Sequence, residues 1–558
     1  MKLYVKFLKQ YVFCKNNLFK IIFAFIILSL GSLISLILPL LSKIIVESII
    51  TFYDIYILNR VCAVAIIVIF ISAGLGILQN YIIHHFVQTI ALNIRCNFFE
   101  HIQNISWDFY DRFKVGEIQY RFFNDIGVLS ETAAMLPINL IINLLFVFVS
   151  NIIMFFLNWK IACFIDGILI IYCILYYFWQ KRIEYFAWLV QKGAEEAHGI
   201  TQEQISRLKL AQLNSALEFE RSITKNILKS LADQIVLRNV YLGKSGILIG
   251  AISGFWSIGI LWIGGYSIIA HNLTLGDLIA FLSLTTLMVP VATGFVTIII
   301  QFPSIRVSLT RYYEIMDQIS SVSDELDAKP MDAIIGRINF NNLTFKYTGS
   351  PYNLFSELNF SILAGKLAVI VGPSGSGKST ILKLIGRFYS PMSGSVKIDG
   401  IDLRKVTLDS LREQIRYLDG KNVVLPMTIF ENICYGVKNK SLEEVIEASQ
   451  MACIHEHIQS LPNGYFTRIG AHGIELSDGE KQRINIARCF LVKPKIWLLD
   501  EATVHLDECI ENQILQNIIR ANYGKNTVIV VSHNQKIVKY ADIVIRLPDA
   551  TNSSISGG

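Results

Sequence analysis

The sequence predicts two joined parts: an α-helical domain that crosses a membrane six times, with long helical extensions into the cytoplasm, followed by an α/β domain built on a parallel sheet. Three observations predict this. The chain of 558 residues is too long for one ordinary domain, and at 53% hydrophobic with a mean hydropathy of +0.47 it is too apolar for a soluble protein of that length. Apolar runs of about twenty residues recur through the first part of the chain and then stop. From near Ile335 onward, short apolar runs alternate with turns, and one of them opens through a glycine-rich loop into a helix.

The six apolar runs fall at about 19–42, 58–84, 135–157, 160–180, 246–270 and 278–302. An even number returns the chain to the side on which it began. Lys2, Lys6, Lys9, Lys15 and Lys20 precede the first run, Arg95, Arg112, Lys114 and Arg121 lie between the second and third, and Lys181, Arg182, Arg207, Arg221 and Arg238 between the fourth and fifth. The alternate connections, LNWK and HNLTLGD, are short and nearly uncharged. Positive residues stay on the cytoplasmic side, so both termini are expected there, in the cell membrane. The net charge of +6 is therefore read as membrane orientation, with lipid as a partner and no nucleic acid. The apolar run after the basic start is far longer than a signal-peptide core and lacks a small-residue cleavage site, so it reads as a retained anchor. The nine cysteines include no C-x-x-C pair and read as reduced, buried small residues. The two charged connections lack Gly/Pro clusters and are expected to continue as helices, each twenty residues adding roughly 30 Å. Asp166, in FIDGIL of the fourth run, is costly in a membrane unless it faces a partner or a watery cavity, and is expected to meet a cationic or polar part of a substrate.

The expected boundaries are a transmembrane domain over 1–320, a linker over 321–334, an α/β domain over 335–548 and a tail over 549–558. In the α/β part, the run Leu367 to Val371 leads into GPSGSGKST, that is Gly372, Pro373, Ser374, Gly375, Ser376, Gly377, Lys378, Ser379 and Thr380. This is the G-x-x-x-x-G-K-[ST] phosphate loop. Its glycines let backbone N–H groups and the helix start face a polyphosphate, Lys378 reaches the distal phosphates, and the Ser379 hydroxyl suits Mg²⁺. The chain is thus expected to bind a nucleoside triphosphate.

In KIWLLDEAT, Asp500 and Glu501 end an apolar strand that a parallel sheet would deliver beside that loop. Asp500 suits Mg²⁺ through its water shell, and Glu501 suits polarising an attacking water. A second strand, Thr527 to Val531, ends in SHN, which puts His533 at the same edge, where a neutral imidazole can hydrogen-bond a γ-phosphate and the water. In LSDGEKQRINIARCF, Ser477 and Gly479 precede another helix start able to meet phosphate oxygens. One nucleotide rarely needs two such helix starts from one molecule, which points to two copies facing each other.

With these motifs in this order, the chain resembles an ATP-binding cassette (ABC) exporter half-transporter, six spans fused to one nucleotide-binding domain, over nearly its whole length. GPSGSGKST resembles the Walker A loop, IWLLDE Walker B and LSDGE the signature, Tyr347 in FKYTGS the aromatic residue that stacks on adenine, Asp507 in VHLD the D-loop, and His533 the switch histidine. GEIQYRF with Asp125 resembles the first intracellular loop of bacterial exporters, nearest to exporters of bacteriocin-like peptides, and LTLGDLIAF the start of the sixth span. The N-terminal cysteine peptidase that many of those carry is expected to be absent, because the first span begins near residue 19. The resemblance implies ATP and Mg²⁺ as cofactors and an ATPase that exports a peptide or hydrophobic small molecule. It also implies a second half-transporter as partner, in a homodimer or heterodimer, and coupling helices near Phe122 to Leu129 and Asn214 to Glu220. A lipid flippase on the same scaffold and a non-transporting ATP-binding regulator are the alternatives.

Four positions depart from the pattern. Gly420 stands where the family has its Q-loop glutamine, Ala471 where an acidic residue is usual, and Asp478 and Glu480 replace a glycine and a glutamine of the signature. The two missing side chains at 420 and 471 predict loose coupling between hydrolysis and transport, and the altered signature predicts one weakened site of a heterodimer.

Overall fold

The computed structural model describes residues 2–547 apart from Tyr53, Lys114, Leu326, Ala471, His472, His505, His533 and Asn534, so the expected tail over 549–558 lies outside the described residues. The chain forms two compact units, Met1–Gln103 with Val115–Gln318, and Asn104–Lys114 with Ile319–Gly558.

The first unit is helical. Its apolar runs lie on helices Lys15–Ser35, Ile37–Glu47, Ile55–Asn104, Leu136–Leu157, Trp159–Ser206, Leu217–Ile269 and Leu275–Met316. The first run is split because Pro39 has no N–H and its ring would meet the carbonyl of Ser35, so the first helix stops there. Among the described residues four helical stretches are long and apolar enough to cross a membrane: Asn17–Ile50, Ile55–Asn104, Val115–Leu157 and Leu217–Ile269. The fourth and sixth expected runs lie on Trp159–Ser206 and Leu275–Met316, where side chains such as those at 176–180 and 295–300 are outside the description. Helix Ile55–Asn104 has 50 residues, roughly 75 Å at 1.5 Å per residue, against a hydrocarbon core of roughly 30 Å. Phe70 in it is 73% exposed, a cost in water that lipid removes.

The short uncharged connections are helix caps. Asn158 Oδ1 accepts from the N–H groups of Lys160 and Ile161 at 3.0 and 3.3 Å, and Thr274 forms a capping box with Asp277. Asp277 also pairs with Lys43 at 2.6 Å. Residues of the GEIQYRF segment sit deep in this unit: the Arg121 guanidinium pairs with Glu117 at 2.6 Å and Glu314 at 2.9 Å, and Ser308 Oγ donates to Asp125 at 2.8 Å. The expected coupling segments, Phe122 to Leu129 and Asn214 to Glu220, both belong to this first unit. The helix that belongs to the second unit lies upstream of them, at Trp107–Arg112, where Trp107 stacks on Phe388 and Asp111 accepts from Tyr389, whereas the Phe122 ring packs on Phe98 and Phe99 of the first unit.

The second unit has nine strands among its described residues: β1 Ile338–Phe345, β2 Phe355–Ile362, β3 Leu367–Val371, β4 Ser393–Ile398, β5 Ile401–Asp402, β6 Ile415–Asp419, β7 Ile496–Asp500, β8 Thr527–Val531 and β9 Ile543–Arg546. They form a four-stranded sheet, β2-β1-β4-β5, and a five-stranded parallel sheet, β6-β7-β8-β3-β9. Every side chain of β7 and β8 is buried, as a parallel sheet covered on both faces requires. The register places Asp419 beside Asp500 and Asp500 beside Val531, so β6, β7 and β8 end together at one edge. β3 runs beside β8 and delivers its loop to the same edge.

Residues expected to be linker are strapped to this unit. The buried Arg387 guanidinium donates to Ser323 O at 2.7 Å, to Asp324 Oδ1 at 3.4 Å and to Val406 O. Met331 N–H donates to Ser410 Oγ at 2.9 Å. A hydrogen bond to a charged group contributes about 1.5–3 kcal/mol. Arg387→Met is therefore expected to raise the rate of protease cleavage between Ile319 and Pro330 about tenfold or more, read by timed digestion of the purified protein. An unchanged rate would show that the strap is held elsewhere.

Candidate nucleotide site

β3 ends at Val371, and the chain turns through Gly372 to Gly377 before helix Lys378–Ile385 begins. Two glycines make this turn possible. Gly375 and Gly377 have φ of +84° and +91°, a region that costs a residue with a Cβ about 1–2 kcal/mol. A Cβ on Gly377 would also meet the Phe355 ring at 2.5 Å.

Lys378 is buried, and its ammonium donates to Gly372 O at 2.9 Å and Pro373 O at 2.8 Å. Among the described residues no carboxylate lies within ion-pair distance of it, so the charge is held by neutral carbonyls at the loop. Ser376 Oγ is buried without a hydrogen-bond partner. A buried cation without a counter-charge beside an orphaned hydroxyl is what a polyphosphate would satisfy. Pro373 and Ser374 form the exposed lip of the loop.

Ser379 Oγ donates to Asp500 Oδ1 at 2.7 Å, so the two side chains expected at a metal are brought together. A hydroxyl and a carboxylate at that spacing, both oxygen donors, fit Mg²⁺ bound jointly with phosphate oxygens. Glu501 follows with φ of +51°, a strained conformation for a residue with a side chain, and its N–H donates to Val531 O at 3.0 Å. The backbone of Gly420 lies beside it: a Cβ there would stand 3.3 Å from Glu501 O.

Tyr347 is half-buried, with its hydroxyl 2.8 Å from Thr380 Oγ1 and its ring edge-on to Phe345 and Tyr389. Burial pushes its hydroxyl up, while the Thr380 contact pulls the other way. Ser477 caps helix Asp478–Val492 and exchanges hydrogen bonds with Glu480: the Ser477 N–H donates to Glu480 Oε2 at 2.8 Å, and the Glu480 N–H to Ser477 Oγ at 3.3 Å. Burial raises the Glu480 carboxyl, but the bonds from Ser477 outweigh it and hold the group below the usual carboxylate range. Gly479 lies in the first turn of that helix, and Asp478 pairs with Lys481 at 3.0 Å. The hydrogen bonds of Ser477 thus stay within its own helix and do not reach the loop at 372–380. Asp507 stands at the N-cap position of the next helix, Glu508–Asn522, without a side-chain capping bond. His533 and Ala471 lie outside the described residues.

One residue that the motifs do not point to is at the centre of this edge. Tyr417, in β6, donates its hydroxyl to Asp500 Oδ2 at 2.7 Å. Burial pushes that hydroxyl up, and the charge of Asp500 adds to the effect. Its signal in the sequence was the tyrosine two residues into a strand that ends level with Asp500, visible only once the register of β6 on β7 is known.

A loop for phosphates, paired metal donors and an acidic residue at one sheet edge define a phosphate-loop ATPase domain, here fused to a membrane-spanning helical domain. Residues 355–504 match the ABC transporter family and residues 21–291 the ABC transporter transmembrane region family. The chain belongs to the ABC transporters; it is an integral membrane protein with an ATP-binding domain whose ATPase activity drives transport, in the manner of exporter half-transporters. It is 31% identical to the uncharacterized ABC transporter ATP-binding protein YwjA of Bacillus subtilis (strain 168), over 87% of this chain and 84% of that one. It is 28% identical to a Staphylococcus aureus (strain NCTC 8325 / PS 47) protein with a provisional multidrug export ATP-binding/permease name, over 98% of this chain and 94% of that one. The structure of a bacterial Atm1-family ABC exporter with ATP bound superposes with a TM-score of 0.82 at 25% identity, covering 95% of this chain and 93% of that one.

Gly377→Ala is expected to weaken ATP binding about tenfold or more, read by nucleotide titration, since the strained φ and the Phe355 contact both displace the loop. Binding at the original strength would mean the loop tolerates a different path.

Proposed function

We propose that this transporter exports an amphipathic peptide or hydrophobic small molecule, working as a dimer in which each ATP lies between the loop at 372–380 of one copy and Ser477 and Gly479 of the other. The observation that carries the dimer is the placement of the two phosphate-directed helix starts, since the bonds of Ser477 remain in its own helix while Lys378, Ser379 and Asp500 gather at the sheet edge. The multidrug export name of the Staphylococcus aureus relative supports the substrate class.

In this reading the ammonium of Lys378 and the N–H groups of the loop bind the phosphates, and the Ser379 hydroxyl and Asp500 hold Mg²⁺. When bound there, Mg²⁺ would supply charge neutralisation for the phosphates. Glu501 orients the attacking water, with His533 set to hydrogen-bond the γ-phosphate, and Tyr347 and Asp507 complete the nucleotide contacts. The ATPase domain and both termini are cytoplasmic. Closure of the two domains on ATP turns the spans outward, and hydrolysis resets them.

Lys378→Ala is expected to abolish turnover, because it removes the charge on the phosphates. Glu501→Gln should retain ATP in a stable dimer, because the amide keeps the shape but cannot orient water. Gel filtration with labelled ATP checks both: turnover at the normal rate in the Gln variant overturns the role of Glu501, and ATP retained on a monomer overturns the dimer.

Asp166 bears on the substrate. Its carboxylate is partly exposed and accepts from Asn151 Nδ2 at 2.9 Å, one partner for a group with about four acceptor sites. We infer that the rest of it meets a cationic or polar part of the cargo. Asp166→Asn is expected to reduce stimulation of the ATPase by cationic peptides severalfold while sparing the basal rate. Stimulation by lipids alone, unaffected by the substitution, would favour a flippase.

A further inference from the structure

Gly420 has no side chain with which to join the nucleotide edge to the intracellular helices, and the structure holds a different connection three positions upstream. The segment 104–114 belongs to the second unit, although it begins at the last residue of helix Ile55–Asn104, from which only Ile105 and the extended Ser106 separate the helix at Trp107. Trp107 in it stacks on Phe388, with ring centroids 4.1 Å apart and planes at 21°. Both rings meet the Tyr417 ring edge-on, Trp107 at 6.0 Å and Phe388 at 5.3 Å. The other face of this contact is chemical: the Tyr417 hydroxyl holds Asp500 Oδ2 at 2.7 Å, opposite the Ser379 hydroxyl on Oδ1. The segment is itself fixed, by Tyr389 donating to Asp111 and by Ser321 Oγ donating to Ser106 Oγ at 2.9 Å.

We propose that Tyr417 is a positioning residue that couples the intracellular segment 104–114 to the nucleotide site, setting the orientation of the Asp500 carboxylate according to where Trp107 sits. The proposal rests on the reading of Asp500 as a metal ligand. Packed aromatic rings do not deform continuously, so a shift of Trp107 displaces the Tyr417 ring as a body. A hydrogen bond weakens steeply with distance and angle, and the carboxylate follows its donor. Partners that orient a metal ligand in this way typically change metal affinity 10–100-fold when removed. By linkage the effect runs both ways: a ligand that draws on Asp500 restrains Trp107, and through it the end of the 50-residue helix Ile55–Asn104.

The test uses the full-length protein in lipid, with Mn²⁺ as the probe. Its half-saturation in the presence of ATP is read by electron paramagnetic resonance, which does not depend on turnover. Tyr417→Phe keeps the ring packing and removes only the hydroxyl, and is expected to raise the half-saturation about tenfold. Trp107→Leu leaves the hydroxyl in place and is expected to raise it about threefold, but to add nothing once Tyr417 is Phe, because both act through one bond. Asp500→Asn separates the two levels of the argument. If it raises the half-saturation and Tyr417→Phe does not, Tyr417 has no such role. If the Trp107 and Tyr417 effects multiply, the two residues act independently and the coupling is refuted. If Asp500→Asn itself changes nothing, the metal assignment falls and takes this inference with it.

Discussion

The Asp500 carboxylate ends a strand in which every side chain is buried, and its two oxygens each accept a hydroxyl hydrogen at 2.7 Å, from Ser379 and from Tyr417. Burying a carboxylate is costly unless its charge is met by hydrogen bonds or a cation. Here the donors come from the start of the phosphate-loop helix and from β6, so satisfying this one group requires that β3, β6 and β7 be in register and that the glycine turn be formed. The need is reciprocal at the loop. Lys378 brings a buried positive charge with only carbonyl partners, and Ser376 an unsatisfied hydroxyl. The protein thus keeps a positive loop and a negative strand end close together without letting them neutralise each other directly. A polyphosphate with a divalent cation meets both demands at once.

Much of this was legible in the residues. The glycine loop, the acidic strand end and the apolar runs announce themselves because their chemistry needs fixed residue types at fixed spacing, whereas the short connections read only as uncharged, and their caps at Asn158 and Thr274 come from the structure. What the sequence could not show depends on residues that meet only after folding. Tyr417 looks like any strand aromatic until β6 is placed beside β7. Trp107 gives no motif, so nothing in the sequence marks the helix that starts there as belonging with the second unit, while Phe122 to Leu129 belongs to the first. Nor do the residues in and beside that stretch show their partners in the sequence: the buried Arg121 and Asp125 pair with Glu314 and Ser308 far along the chain. The residues beyond Ser320 read as linker by composition, and it is contacts such as those of Arg387 with Ser323 and of Met331 with Ser410 that show them running as a strap.

At the nucleotide edge the link proposed here runs through Tyr417, not through a side chain at 420. At Gly420 the backbone comes so near Glu501 that a Cβ would stand 3.3 Å from its carbonyl, while Trp107, Phe388 and Tyr417 pack on one another as an aromatic trio. A long amide and a packed aromatic cluster solve the same mechanical problem differently. The amide reaches across a gap and can let go; the cluster leaves no gap and transmits displacement through contact. The second design gives a stiffer link with fewer intermediate positions, which suits an all-or-none change better than a graded one.

The signature helix shows the same economy applied with an opposite result. A glutamine at the third position would offer a neutral cap to Ser477, leaving the positive end of helix Asp478–Val492 open to an anion from outside. Glu480 instead brings its own negative charge to that end, accepting the Ser477 N–H at 2.8 Å, and Asp478 adds a second carboxylate only partly offset by Lys481 at 3.0 Å. Acidic groups in the first turn stabilise a helix by about 0.3–1 kcal/mol each, and they do so by consuming the same field that would attract a phosphate. These carboxylates stabilise the helix on its own, and Glu480 Oε1 also faces His457 Nε2 at 3.3 Å. The cap of this helix is thus closed within the helix itself, with Ser477 and Glu480 holding each other.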